Sequence, residues 1–201
     1  MMTAKTKAEY RSALQQKRRA VSAAAHQIEA EQLCGHLVDA VGDAATVCAY
    51  LPVGTEPGSE ALVGRLRALC EVVLLPVTQT GSEGEHLPLG WGEYVPGTLI
   101  SARFGLLEPP QPWLEPPAIA QAGVVLVPAL AVDRAGVRLG RGGGFYDRSL
   151  PLCAPGTRLV AVVRDDELVE SLPAEPHDVR MTHALTPGGG LIAFGGMTGR
   201  G

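Results

Sequence analysis

Residues 46–77 read TVCAYLPVGTEPGSEALVGRLRALCEVVLLPV, and this stretch decides the fold. Thr46 to Leu51 is apolar and partly β-branched, which predicts a buried strand. A loop follows from Pro52 to Ser59, with Glu56 immediately before Pro57. Behind Ser59, a residue type that caps helices, Leu62, Leu66 and Leu69 recur at helical spacing. Val72 to Val77 reads as the next strand. Strand, helix and strand in that order predict a parallel β-α-β unit with a right-handed crossover. Ligands on such sheets bind beyond the carboxyl ends of the strands. Glu56 lies in a loop of that kind and is a candidate binding residue; a solvated loop carboxylate is the plain alternative.

Downstream, Val124 to Val132 is a second long apolar run and predicts a central strand, turned at Asp133 to Gly136. It leads into VDRAGVRLGRGGGFYDRSL, residues 132–150. Glycines at 140, 142, 143 and 144 strip the β-carbons from one loop, so a ligand can touch its backbone N–H groups directly. Successive N–H groups in such a loop form an anion-binding concavity. Arg138, Arg141 and Arg148 bracket it with permanent positive charge suited to phosphate oxygens. Phe145 to Leu150 reads as a short helix stopped by Pro151, its N-terminus aimed at the same anion. The loop is not a Walker loop, because no Lys-Ser or Lys-Thr follows the glycines. Nor is it the dinucleotide fingerprint, since Phe145 occupies the third glycine position. A phosphate cradle is the favoured reading, and a flexible loop with solvated arginines is the alternative.

Upstream, Lys5 to Ala20 lacks Pro and Gly and reads as a helix with Tyr10, Leu14 and Val21 in one apolar sector. Lys7, Arg11 and Arg18 form a narrow stripe beside that sector. On spacing alone a solvated face is the plainer reading; a reach into a neighbouring cleft is the other. Ser22 is placed to cap a second helix running to Val41 and ended by Gly42. His86 to Ile100 suggests a short strand pair, with Trp91 in the core. Phe104 to Pro117 reads as an irregular crossing, Arg158 to Val163 as a strand, and Asp165 to Ser171 as a short helix with an acidic start. Thr182 to Thr186 reads as a last strand. Residues 187–201 are expected to be a flexible or edge-pairing tail on a single domain spanning 1–201.

The 201 residues fit one domain, and an apolar fraction of 46% is ordinary for a packed core. With aromatics at 4%, aliphatic and alanine packing must fill that core. A net charge of -4 argues against a general nucleic-acid partner. The four cysteines show no metal-ligand or C-x-x-C spacing and fit a reducing compartment. There is no apolar signal core at the N-terminus and no run of membrane-spanning length. A cytoplasmic protein without a membrane partner is expected, as a monomer or weak homodimer.

The run Arg138-Leu139-Gly140-Arg141-Gly142-Gly143-Gly144-Phe145-Tyr146-Asp147 resembles the signature of the 5-formyltetrahydrofolate cyclo-ligases, also called methenyltetrahydrofolate synthetases. Further pieces follow in family order: Lys7-x-x-x-Arg11 with Arg18, Tyr50-Leu51-Pro52 with Glu56, Phe104-Gly105-Leu106-Leu107-Glu108-Pro109, Val127-Pro128 with Asp133, and Leu172-Pro173 with His177-Asp178. The resemblance implies an α/β/α three-layer sandwich with a mainly parallel, open sheet. It implies 5-formyltetrahydrofolate, a reduced folate, as substrate, ATP as co-substrate and Mg2+ as cofactor. By the same resemblance Lys7, Arg11 and Arg138 to Tyr146 contact ATP, with Lys7, Arg138 and Arg141 neutralising charge in the reaction. Leu51, Glu56 and Arg141 to Phe145 contact the folate, and Asp147 and Asp178 hold the metal. Two departures stand out: Phe145 replaces a frequent tyrosine, and Glu167 replaces a common glutamine, which bears on adenine or folate recognition. Two other classes compete: a sugar-phosphate isomerase or acyl-transfer enzyme with Glu56 as base, and a non-catalytic folate or nucleotide binder.

Overall fold

A computed structural model describes residues 6–102, 105–176 and 178–195; Lys5, Phe104, His177 and the tail beyond residue 195, all named above, lie outside them. In chain order the helices are α1 (Lys7–Arg19), α2 (Ala23–Gly35), α3 (Leu37–Val41), α4 (Glu60–Leu69) and α5 (Phe145–Ser149). The strands of the main sheet are β1 (Thr46–Cys48), β2 (Val72–Val77), β3 (Gly90–Glu93), β6 (Val124–Pro128), β9 (Arg158–Val162), β11 (His183–Thr186) and β12 (Gly190–Ala193). Between them come β4 (Ile100–Ser101), β5 (Leu107–Glu108), β7 (Ala131–Asp133), β8 (Arg138–Leu139) and β10 (Leu168–Val169).

The expected β1-α4-β2 unit is present, with Val47 opposite Val73 in a parallel pairing. The main sheet runs β12-β11-β9-β6-β1-β2-β3, with five parallel strands between antiparallel edges. Its central strands are buried on both faces, which is why they read as continuous apolar runs rather than alternating ones. Along β6, Val124 and Leu126 face α2, α3 and α4 through Leu33, Leu37, Leu62 and Leu66. Val125 and Val127 face the opposite way, onto Trp91, Ile119 and Leu150. That second layer is built from α5 and the 3-10 turns Pro116–Gln121 and Leu150–Leu152. All four cysteines are free thiols.

Several elements differ from their sequence reading, each for a local reason. The run from Val124 to Val132 is two strands: Pro128, with no N–H for the ladder, ends β6, and β7 joins a separate sheet ordered β10-β7-β8. The second helix breaks at Gly35–His36, glycine being a weak helix former, into α2 and α3. Only Asp165–Glu167 is helical in the segment beyond β9, as a 3-10 turn, because Leu168 and Val169 pair with β7. Pro151 does not stop the chain's helical path but sits in the first turn of a 3-10 helix, where its missing N–H is tolerated. β3 pairs with β2, and β4 with β5, rather than forming one local pair. The tail segment Gly190–Ala193 pairs antiparallel at the sheet edge.

Candidate active site

From β1 the chain steps outward through β2 to β3. It then returns to β6 on the other flank of β1 and steps outward to β12. The reversal leaves a crevice beyond the carboxyl ends of β1 and β6, the position where open α/β sheets bind ligands. A cavity of about 330 Å³ lies there. Tyr50 and Leu51 line it after β1, and Pro128 and Ala129 after β6.

The structure brings the sequence-predicted residues to this one cavity. Lys7, Arg11, Leu51, Glu56, the whole run Arg138 to Asp147, and Asp178 all line it. Arg148 does not, although it brackets the loop in sequence. The basic stripe of α1 is not a solvated face. Leu14 packs on Leu130, Val137, Leu139 and Leu172 beside the small sheet, which turns the stripe inward. Arg11 Nε donates to the Gly140 carbonyl at 3.0 Å. Lys7 Nζ reaches Glu175 at 2.7 Å and Asp178 at 3.0 Å. Burial works against the Lys7 charge, but hydrogen bonds to these two carboxylates outweigh it and raise its pKa.

The glycine loop is open backbone. Gly142 sits at φ 103° and Gly144 at φ 71°, in the left-handed region that favours glycine. Among the described residues, the N–H groups of Gly142, Gly143 and Gly144 donate to no protein acceptor. Helix α5 is only five residues long, so these N–H groups, rather than a macrodipole, are what the loop could offer an anion. Arg138 is buried, ion-paired with Asp147 and set 6.0 Å from the Tyr146 ring centre; its Nε has no partner among the described residues. Arg141 is half exposed and pairs with Glu56 at 3.1 Å. Burial pushes the Glu56 carboxyl up, against the Val53 N–H, Arg141 and Arg18, which hold it down.

The two expected metal ligands line the same cavity, Asp147 beside Arg138 and Asp178 beside Lys7. No group of three or more His, Cys, Asp or Glu side chains placed to hold a metal ion occurs among the described residues. A pair of hard oxygen donors next to an anion cradle suits magnesium, which keeps several waters and takes one or two carboxylates plus phosphate oxygens.

Tyr50, Tyr146 and Glu108, each within a motif quoted above, also line the cavity, while His86, which supports the loop from outside that lining, had no sequence signal. The Tyr50 and Tyr146 hydroxyls are buried without a partner among the described residues, and burial pushes both phenols far up, so both stay neutral. Glu108 lines the cavity while accepting from the Thr78 N–H and hydroxyl at 2.8 and 2.7 Å. His86 stacks on Phe145 with ring centres 4.2 Å apart and bonds the Gly143 carbonyl at 2.7 Å. It is 57 residues from that glycine, so no local spacing relates them. Glu167 lies outside this cavity, but it pairs with Arg18, which lines it.

An open, mainly parallel sheet with a cation-rich crevice at its switch point defines an α/β protein of the ligand-binding type. Comparison with known proteins makes the class specific. The sequence model of the 5-formyltetrahydrofolate cyclo-ligase family matches residues 3–187. A 5-formyltetrahydrofolate cyclo-ligase of Mycolicibacterium smegmatis is 55% identical over 96% of this chain and 100% of its own. One from Escherichia coli K12 is 30% identical over 87% of this chain and 96% of its own. The solved structure of Aquifex aeolicus 5,10-methenyltetrahydrofolate synthetase shares the fold, with a TM-score of 0.74 at 23% identity, covering 97% and 95% of the two chains. A synthetase from Mycoplasma pneumoniae superposes with a TM-score of 0.67 at 20% identity over 88% and 96%. The chain belongs to the 5-formyltetrahydrofolate cyclo-ligase family and is a ligase of folate metabolism.

Proposed function

We propose that this cleft couples ATP to the cyclisation of 5-formyltetrahydrofolate, giving 5,10-methenyltetrahydrofolate, ADP and phosphate. One observation carries the reading. Lys7, Arg11, Arg138 and Arg141 meet bare glycine backbone around a single cavity that Glu56, Glu108, Asp147 and Asp178 also line. Four cations and free N–H groups exceed what one phosphate needs and suit a polyphosphate.

An amide-like formyl oxygen is a poor leaving group. In the proposed reaction that oxygen attacks the γ-phosphorus, the bond to ADP breaks, and an imidate phosphate forms. N10 then attacks the activated carbon and gives up its proton, and phosphate departs with the former formyl oxygen. Such transfers need positioning and charge neutralisation more than covalent help. Lys7, Arg11 and Arg138 with the loop amides hold the phosphates. Arg141 spans both substrates through its tie to Glu56. Leu51, Glu56 and Phe145 hold the folate, with the neutral Tyr50 and Tyr146 hydroxyls as further hydrogen-bonding groups. Asp147 and Asp178 would hold magnesium, which when bound neutralises polyphosphate charge.

The test is to combine protein, ATP, magnesium and 5-formyltetrahydrofolate, omitting each in turn. Methenyl absorbance should rise only with all four present. Its absence from folded protein would contradict the reading.

A further inference from the structure

A second cluster of charge closes one wall of the cleft, at the far end of α1 from Lys7, and its Arg18 lines the cavity. Arg18 is 2% exposed and Glu167 is 1% exposed. Arg18 Nε and Nη2 donate to the two Glu167 oxygens at 2.6 and 2.7 Å, a bidentate pair. The same Nη2 donates to the Ala129 carbonyl at 2.6 Å, and Ala129 lines the cavity directly after β6. Glu167 also accepts the Arg164 N–H at 2.8 Å. Arg164 in turn bonds Glu29 of α2 at 2.7 Å and the Thr55 carbonyl at 3.1 Å, one residue before Glu56.

Two arginines and two glutamates therefore tie together α1, α2, the β1-α4 loop and the ends of β6 and β9. Every tied segment except α2 carries a cavity residue or directly adjoins one. Besides this cluster, α1 is seated by the small patch of Tyr10 and Leu14 on β7, β8 and Leu172, by the Lys7 and Arg11 bonds described above, and by an exposed Lys17–Asp166 pair at 2.6 Å. A small apolar patch fixes helix rotation and register poorly, whereas a buried bidentate pair fixes them well; register control is the best-attested use of buried ionic groups. Lys7 and Arg11 share the stripe of Arg18, so the register set at Arg18 is the register in which they meet the glycine loop.

We propose that Arg18, clamped by Glu167, is a positioning residue that sets the register of α1 and thereby aligns Lys7 and Arg11 with the glycine loop. It acts through the helix and the Ala129 carbonyl, not as a group that reacts. This inference rests on the reading that α1 supplies the nucleotide-phosphate cations, and it names what holds them in place.

The test uses the full chain with Arg18→Met and Glu167→Met combined, which leaves no buried charge of this pair unmatched. Melting temperature and the separate KM values for ATP and 5-formyltetrahydrofolate are measured. A folded double variant should show KM for ATP raised about tenfold, the scale of a small misplacement of binding groups, with KM for the folate within about twofold. An unchanged KM for ATP, or an equal rise in both constants, overturns the proposal and leaves the cluster a purely structural support. Should the double variant not fold, Glu167→Gln weakens the clamp, because its amide NH2 must face a donor. It should raise KM for ATP about threefold at unchanged folate KM, and no rise would overturn the proposal. Failure of the functional reading is a separate result: wild-type protein would then show no ATP-dependent cyclisation at all.

Discussion

Arg141 Nε lies 3.1 Å from Glu56 Oε1, joining the glycine loop after β8 to the loop after β1. The two partners are unequal: the Arg141 side chain is 50% exposed and that of Glu56 only 9%. The exposed member is the cation, and the buried member is the carboxylate that holds it. Arg141→Ala should lower turnover by roughly 100-fold or more, as removal of a charge-stabilising donor does. The fold should lose no more than about 1 kcal/mol, because a half-exposed pair contributes little. Steady-state kinetics beside a thermal melt checks both; near-normal turnover would remove Arg141 from the assigned role.

Glu56 should confer pH dependence on folate binding. Burial holds its carboxyl above the ordinary 4.5. Protonation on the acid side removes the charge facing Arg141, so KM for the folate should rise as pH falls, with a midpoint above 4.5. In Glu56→Gln that dependence should disappear. A raised folded-state value means this group favours folding below its unfolded pKa and loses that contribution as pH rises through the folded one. Glu56→Gln should therefore cost less stability at neutral pH than in acid, which melts at both pH values would measure.

Asp147 is paired with Arg138 and Asp178 with Lys7, each within the cation cradle. Chelation should abolish turnover, and magnesium should restore it. Asp147→Asn should cut turnover by roughly 100-fold at low magnesium and recover partly at high magnesium, since one of the one or two protein carboxylates is lost. A magnesium response identical to wild type would exclude Asp147 as a ligand.

His86 supports the loop from outside the motif, through its stack on Phe145 and its bond to the Gly143 carbonyl. His86→Ala should raise KM for ATP by about fivefold, from the loss of one hydrogen bond and one ring contact. A nucleotide-binding titration reads this directly. Unchanged affinity would mean that the glycine loop holds its shape unaided.

The parallel core was legible because strands buried on both faces leave continuous apolar runs, as at Val72–Val77, where the expected bounds and the observed strand coincide. The glycine loop was legible because its chemistry is contiguous in the chain. What spacing left open was the direction of the α1 stripe: a helix shows the same angular pattern whether its border faces water or a cleft. The contact with Leu130, Val137 and Leu139, more than 100 residues on, decides that. His86 and the Arg18–Glu167 pair were illegible for the same reason, since their partners lie 57 and 149 residues away. The split of the run ending at Val132 was signalled by Pro128, whose effect on a ladder is local and general.

The central claim is that the formyl oxygen is activated by phosphoryl transfer in this cleft, and the fate of that oxygen tests it most directly. Substrate labelled with 18O in the formyl group would be turned over once with ATP and magnesium, and the released phosphate analysed by mass spectrometry. The account predicts one labelled oxygen in each phosphate. Label found in water, with unlabelled phosphate, would contradict it.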